Sequence, residues 1–195
     1  MMCKSLTVLA LLVGLAITGA GCVVSPAVMQ QMAASQPHSI SPNFDLSRMW
    51  RVAVMPPTGS ADVPPANLYD AAQLAAMRTG KLVLVDRAEV ERLLREQEFS
   101  YSGLVDPSTA ARLGKLLGAE AVMLVNVTRL EHDDFFSDNP NQRDAEVFVK
   151  LISVQTAEVL YYSQGQASSF EGADDALSGA VQVALMPLQQ AGGQR

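Results

Sequence analysis

The stretch from Asp86 to Thr128, DRAEVERLLREQEFSYSGLVDPSTAARLGKLLGAEAVMLVNVT, narrows the fold more than any other part of this chain. It reads as helix, connection, helix and buried strand, with punctuation at each boundary. Asp86 is placed as an N-cap, and Glu89 three residues on completes the pattern of a capping box. Val90, Leu93, Leu94 and Gln97 recur at helical spacing, which sets a mostly apolar stripe inward and leaves Arg87, Glu91, Arg92, Arg95 and Glu96 to water. Arg87 with Glu91, Glu91 with Arg95 and Arg92 with Glu96 lie four apart, a weak support for the same helix. Ser100 to Gly103 is a connection. Asp106 then caps a second helix with Pro107 at its first position, where a missing N–H costs nothing. Ala110, Leu113, Leu116 and Leu117 give that helix a buried side, and Gly118 suits the left-handed residue that ends it. Ala121 to Val127 is an apolar run of strand length, as expected where both faces of a sheet are covered.

The flanks extend this pattern. Arg51 to Pro57 reads as a first strand stopped by two prolines. Asn67 caps a helix that buries Leu68, Ala71, Ala72, Ala75 and Met77 and ends at Gly80. Leu82 to Val85 is a short, wholly apolar strand, expected at the centre of the sheet. Strand, helix and strand in this order imply a right-handed crossover between parallel strands. After Thr128 the pattern turns antiparallel. In Glu146 to Gln155, Val147, Val149 and Leu151 alternate with Phe148, Lys150 and Ile152. A tight turn at Thr156-Ala157 leads to the returning strand, Glu158 to Gln166, on which Tyr161 and Tyr162 point to opposite faces, one core and one surface. Ala173 to Gln189 forms a last helix through Leu177, Ala180, Val181, Ala184, Leu185 and Leu188. Asp174 and Asp175 lie at its favourable end and Pro187 at its fraying end. The expectation is a single α/β (α+β) domain over residues 49–190, with a mixed five-stranded sheet in the order β-α-β-α-α-β-β-β-α, followed by a disordered tail over 191–195.

The N-terminus follows a different logic. Lys4 and the apolar run Leu6 to Ile17 form a charged start and a core too short to span a bilayer as a stable helix. Gly19-Ala20-Gly21-Cys22 closes it with small residues before a cysteine. This resembles a bacterial lipobox, with a signal peptide over 1–21 and diacylglyceryl and palmitate attachment at Cys22. Gly19 stands where that pattern usually has Leu. The alternative is an ordinary secreted chain cut nearby, with Cys22 incidental. Cys3 leaves with the leader, so Cys22 would have no partner in an oxidising compartment, which favours lipidation. Two or more acyl chains give stable anchoring where one does not. Val23 after the cysteine, rather than Asp, resembles lipoproteins sorted to the outer membrane. Residues 22–48, with Pro26, Pro37 and Pro42 and no sustained period, read as a tether to its periplasmic face, reaching about 25–30 Å. Val28, Met29 and Met32 are alternatively a short helix lying against the domain.

Reactive chemistry is sparse. A formal charge of −6 without a basic patch sets nucleic acid aside, because phosphate neutralisation supplies most of that affinity. The histidines are His38 and His132, and no G-x-S-x-G, H-E-x-x-H, C-x-x-C or Walker loop occurs. Glu131 to Asp134, with Asp138 and Asp144, could hold a hard cation through oxygen, or be a solvated acidic hairpin loop, which its spacing favours. Asp62, Asp70 and Asp86 are assigned to loops and caps. No cofactor, no metal, no small-molecule substrate and no enzymatic activity are expected. The Glu131–Asp144 loop is longer than most hairpin connections and carries Phe135-Phe136 at a polar tip. These two aromatics are candidates for a partner or membrane contact, or they fold back onto the sheet edge.

Arg87, Leu93 to Gln97, Ser102 to Asp106 and Leu113 to Ala119 together resemble the middle of the CsgG-like lipoproteins, the curli assembly and transport family, and the likeness extends from about Arg51 to Gln166. The resemblance implies an outer-membrane lipoprotein that works through protein partners and can self-associate. In that family each protomer lends two long hairpins to a membrane barrel. A membrane strand takes about 9–11 residues, and none of the connections here has room for such a pair. The loop Pro57 to Pro65 also lacks the aromatic and amide residues of the family's pore ring. The expectation is therefore the periplasmic domain without the channel, acting as an assembly or transport accessory. The second reading is a module similar to the LpoB-type lipoproteins that activate penicillin-binding enzymes.

Overall fold

The computed structural model describes residues 36–59, 66–97, 106–132 and 142–193. In chain order they form β1 (His38–Ile40), β2 (Trp50–Val54), β3 (Thr58–Gly59), α1 (Ala66–Arg78), β4 (Leu82–Leu84), α2 (Arg87–Glu96), α3 (Pro107–Leu116), β5 (Ala121–His132), β6 (Arg143–Ser153), β7 (Val159–Ser169) and α4 (Ala173–Gly193). One sheet runs β1-β7-β6-β5-β2-β4, with β3 set beside β5. β2 lies parallel to β4 and to β5, whereas β5, β6, β7 and β1 are antiparallel neighbours. The mixed α/β domain is as expected, but the sheet has seven strands rather than five. The additional two are β1 and β3, both too short to show a period of their own.

β1 lies inside the segment read as tether. Main-chain bonds from Ser41 to Leu160 and from Gln164 to Pro37 dock it against β7. Beyond it Phe44 is buried edge-on to Trp50, with ring centroids 5.2 Å apart, and the Trp50 indole N–H donates to the Asp45 carbonyl. The globular body therefore begins at least as early as residue 36, and these aromatic contacts hold the entering chain.

Two cores sandwich the parallel part of the sheet. Val52 and Val54 of β2 point to α1 and α4, joining Leu68, Ala72, Met123, Val149, Leu177 and Leu185. Ala53 and Met55 point to α2 and α3, joining Val90, Leu94, Leu113, Val122 and Ile152. The period of two along β2 thus reads straight into the two layers. α3 approaches closely because Gly114 lacks a side chain: a Cβ there would lie 2.5 Å from methyls of both Val122 and Val154.

Several local expectations hold. Asp106 caps α3 through the Thr109 amide, Gly80 and Gly118 end their helices at φ 65° and 62°, and all three charge pairs on α2 form. Tyr161 is core and Tyr162 is surface. Others are corrected. The Asp86 carboxylate accepts from the Ala88 amide rather than that of Glu89, and Glu89 pairs with Arg92 at 2.6 Å, so the capping box does not close. Met77 and Leu116 are exposed because each lies outside the arc its helix buries, and Gln97 is exposed at the C-cap, past the last turn of α2. β4 is an edge strand, and Val83 is 46% exposed as a result. α4 continues through Pro187 to Gly193, into the stretch expected to be a disordered tail, because packing of Leu185 and Leu188 outweighs the lost N–H. β5 and β6 reach His132 and Arg143, which shortens the connection expected over 131–144.

Candidate contact surface on the open face of the sheet

Element lengths decide which part of the sheet stays open. α2 and α3 are each 10 residues, about 15 Å, whereas β5 is 12 residues, about 40 Å. The two helices cover that face around Val122 and Ile152, and among the described residues no helix lies over its far part. The opposite face has no such gap, since the 21-residue α4 runs along it.

The uncovered part is built by register. Leu124 lies opposite Lys150, Asn126 opposite Phe148, and Lys150 in turn opposite Tyr162. These side chains share the open face with Thr58, held there by β3, and with Thr128 and Pro56. Together they line a groove of about 280 Å³. Phe148 and Tyr162 stack on each other with centroids 5.4 Å apart and planes 9° apart, and the Lys150 ammonium sits 5.3 Å from the Tyr162 centroid. Such aromatic and cation–π contacts hold the side chains upright on the sheet. Tyr162 remains 37% exposed.

The rim is polar and internally bonded. The Asn126 amide donates to the Thr58 hydroxyl at 3.1 Å. Glu146 accepts from the Thr128 hydroxyl at 2.9 Å on one carboxylate oxygen and from the Gln166 amide at 3.0 Å on the other. The arrangement can dock a partner by apolar contact at its centre and hydrogen bonds around it, the usual anatomy of a contact patch. Its volume falls just below the usual range of small-molecule sites.

Tyr161, Glu120 and Asp106, whose pKa is shifted, lie elsewhere and are structural. Burial pushes the Tyr161 phenol up to about 12, and its hydroxyl donates to the Ala184 carbonyl. The Arg51 amide, followed by the Arg48 guanidinium, holds the Glu120 carboxyl below its ordinary value. The Ser108 hydroxyl and the Thr109 amide do the same for Asp106 at its cap. Among the described residues, no three His, Cys, Asp or Glu side chains gather in a way that could hold a metal ion.

Cys22, Phe135 and Phe136 lie outside the described residues, as do Asp62, Asp133, Asp134 and Asp138. Of the acidic cluster, Asp144 is described and accepts from the Gln142 amide at 2.9 Å. The sequence placed Phe148, Lys150 and Tyr162 on their strands but gave none of them a contact role. Alternation on β6 already puts Phe148 and Lys150 on one face, but only cross-strand register brings them to Tyr162 and Asn126.

A family model for the curli production assembly/transport component CsgG matches residues 47–193. No curated protein matches the chain significantly in sequence. Among solved structures, the PelC dodecamer from Paraburkholderia phytofirmans is similar at a TM-score of 0.55 and 14% identity, covering 80% of this chain and 96% of that one. Lipoprotein GNA1162 from Neisseria meningitidis is similar at 0.51 and 16%, covering 73% and 98%. The LpoB C-terminal domain from Escherichia coli is similar at 0.50 and 17%, covering 72% and 96%. At these identities the likeness is one of fold.

Proposed function

Because the chain belongs to the CsgG family, we propose that it is an outer-membrane-anchored periplasmic lipoprotein that serves as a non-enzymatic accessory of an assembly or transport machine. Cys22 carries the lipid in this reading, and the open groove around Phe148 and Tyr162 meets a protein partner. The observation that carries it is the gap in the helical layer among the described residues, which leaves the stacked aromatics beside Leu124 and Pro56 within a polar rim. Phe135 and Phe136, in the sequence between β5 and β6, form a second candidate contact. Neither nucleic acid nor a small-molecule substrate enters this reading, and no catalytic residue is assigned.

Similarity in fold to a protein solved as a dodecamer supports self-association as part of the same role. Similarity to the LpoB C-terminal domain supports the other reading, a regulatory module for a cell-wall enzyme. The position of β1 supports the first of these. With residues 36–48 inside the folded body, only about 14 residues remain between Cys22 and the domain, which as a free chain span roughly 20 Å. That holds the domain close to its anchoring membrane and favours the assembly role.

The test is photo-crosslinking in cells from position 162, with the trapped partner identified by mass. Crosslinks to a membrane-assembly protein, or to a second copy in a ring-sized species, are expected, and Phe148→Ala is expected to reduce them several-fold. Crosslinks to a cell-wall synthase from a monomeric domain would establish the second reading instead. Labelled palmitate is expected on the wild-type protein and absent from Cys22→Ser.

A further inference from the structure

One cation stands in the middle of the open face. Leu124, Lys150, Tyr162 and Ser39 occupy a single cross-strand row, each directly opposite the next across β5, β6, β7 and β1. Lys150 and Tyr162 line the groove of about 280 Å³ on the β5 side. They also line a more open hollow of about 450 Å³ on the β1 side, with Ser39, Ser41 and Val159. The two hollows therefore meet at Lys150 and Tyr162. Neighbouring strands lie about 4.8 Å apart, so the row from Leu124 to Ser39 is about 14 Å long. An extended chain advances about 3.3 Å per residue, and about four or five residues laid across the strands fill it.

The Lys150 ammonium lies 5.3 Å from the Tyr162 ring centroid, and among the described residues it forms no ion pair. Glu146, on the same face of β6, is four residues away, about 13 Å along the strand. Its two carboxylate oxygens are engaged by Thr128 and Gln166. Glu158, in the β6–β7 turn, accepts from Asn43 and Thr156. A half-buried ammonium with an aromatic neighbour and no counter-charge favours a carboxylate from outside, which gains a charge-assisted hydrogen bond there. The chain as a whole is acidic, at −6, but charges more than about 8 Å away are largely screened at physiological salt. The local field at the centre of the face is that of Lys150. Apolar side chains flank it, Leu124 and Phe148 in the groove and Val159 in the second hollow.

We propose that the open face receives a short extended segment of a partner protein in which one Asp or Glu is flanked by large apolar residues. The carboxylate meets the Lys150 ammonium. Its apolar neighbours pack on Leu124 and Phe148 to one side and on Val159 to the other. This rests on the contact role assigned to the groove above and adds the chemistry of the partner. Selectivity follows from the single charge. A basic segment is repelled at the centre, and a wholly apolar one covers the ammonium without giving it a partner.

A phage-displayed library of random linear peptides, panned on the full chain, tests this without the native partner. Recovered sequences are expected to carry Asp or Glu next to large apolar residues. The tightest of them, made synthetically, is expected to bind Lys150→Met at least about tenfold more weakly than wild type, and Lys150→Arg within about threefold, because arginine keeps the cation. Changing the peptide's own acidic residue to the amide is expected to cost a similar factor. That change leaves the protein untouched, so a folding defect in Lys150→Met cannot imitate it. Panning on Lys150→Glu is expected to select basic residues in place of acidic ones. Recovered peptides without acidic residues, affinities indifferent to Lys150→Met, or no binders at all would overturn the proposal. Photo-crosslinking from position 162 separates it from the contact role. A partner still trapped at full yield in Lys150→Met, or a second copy trapped through a neutral segment, would overturn the acidic preference and leave the role standing. No trapped partner would overturn both.

Discussion

The hydroxyl of Tyr161 on β7 donates to the main-chain oxygen of Ala184 in α4 at 2.5 Å, in a region where both residues are fully buried. That one bond ties the last helix to the antiparallel part of the sheet. It also makes the stability of the domain sensitive to alkali. Ionising the phenol puts a charge in the core and removes the donor.

With the Tyr161 pKa pushed up from 10.0 to about 12, the folded state favours the protonated phenol. Its contribution is complete below pH 10 and is lost as pH rises toward 12, about 2–3 kcal/mol in all. Tyr161→Phe is expected to cost about 1 kcal/mol at neutral pH, because the hydrogen bond goes. It should also flatten the decline of the urea midpoint between pH 9.5 and 11.5, whereas an unchanged decline would place its origin elsewhere.

Gly165 on the same strand permits the closest approach of α4. A Cβ at this position would collide with the Ala180 carbonyl oxygen and lie 2.7 Å from the Ala184 amide nitrogen. Both are helix backbone, which has little freedom to yield. Gly165→Ala is therefore expected to destabilise by about 2–4 kcal/mol, measured by urea unfolding.

The β6–β7 turn should respond in the opposite sense. Ala157 is the non-glycine residue with positive φ among the described residues, at 58°. Left-handed backbone costs an L-residue about 1–2 kcal/mol, while glycine loses about 0.5–1 kcal/mol more entropy on folding. Ala157→Gly is expected to stabilise the domain by up to about 1 kcal/mol, read as a higher thermal midpoint.

At the other end of the sheet, the Glu120 carboxylate accepts from the Arg51 amide at 2.9 Å and pairs with Arg48 at 2.6 Å. Its folded pKa lies below its ordinary value of 4.5, chiefly through the Arg51 bond. The stabilisation is present above pH 4.5 and is lost as pH falls through the depressed value. Glu120→Gln keeps an acceptor for Arg51 but does not titrate. Its unfolding midpoint is expected to fall less than that of the wild type between pH 5 and 3.

The sequence by itself determined the elements whose signals are local. Asp106 with Pro107 starts α3, Gly80 and Gly118 end α1 and α3, and Leu177, Ala180, Val181, Ala184, Leu185 and Leu188 of α4 are all buried. Caps, left-handed glycines and periodicity act within a few residues, so a linear reading captures them. The resemblance carried by Leu93 to Gln97 and Leu113 to Ala119 also led to the right family. What the tertiary structure alone decided is non-local. β4 became an edge because no described strand pairs beyond it, although its composition suits a centre. His38 to Ile40 became a strand because β7 offered a free edge, with no help from its own three residues. The groove exists because two helices of 10 residues face strands of 11 and 12, and because register aligns residues from four strands. Each of these depends on which segments become neighbours, and strand order is set by the sum of the packing rather than by any one stretch of chain.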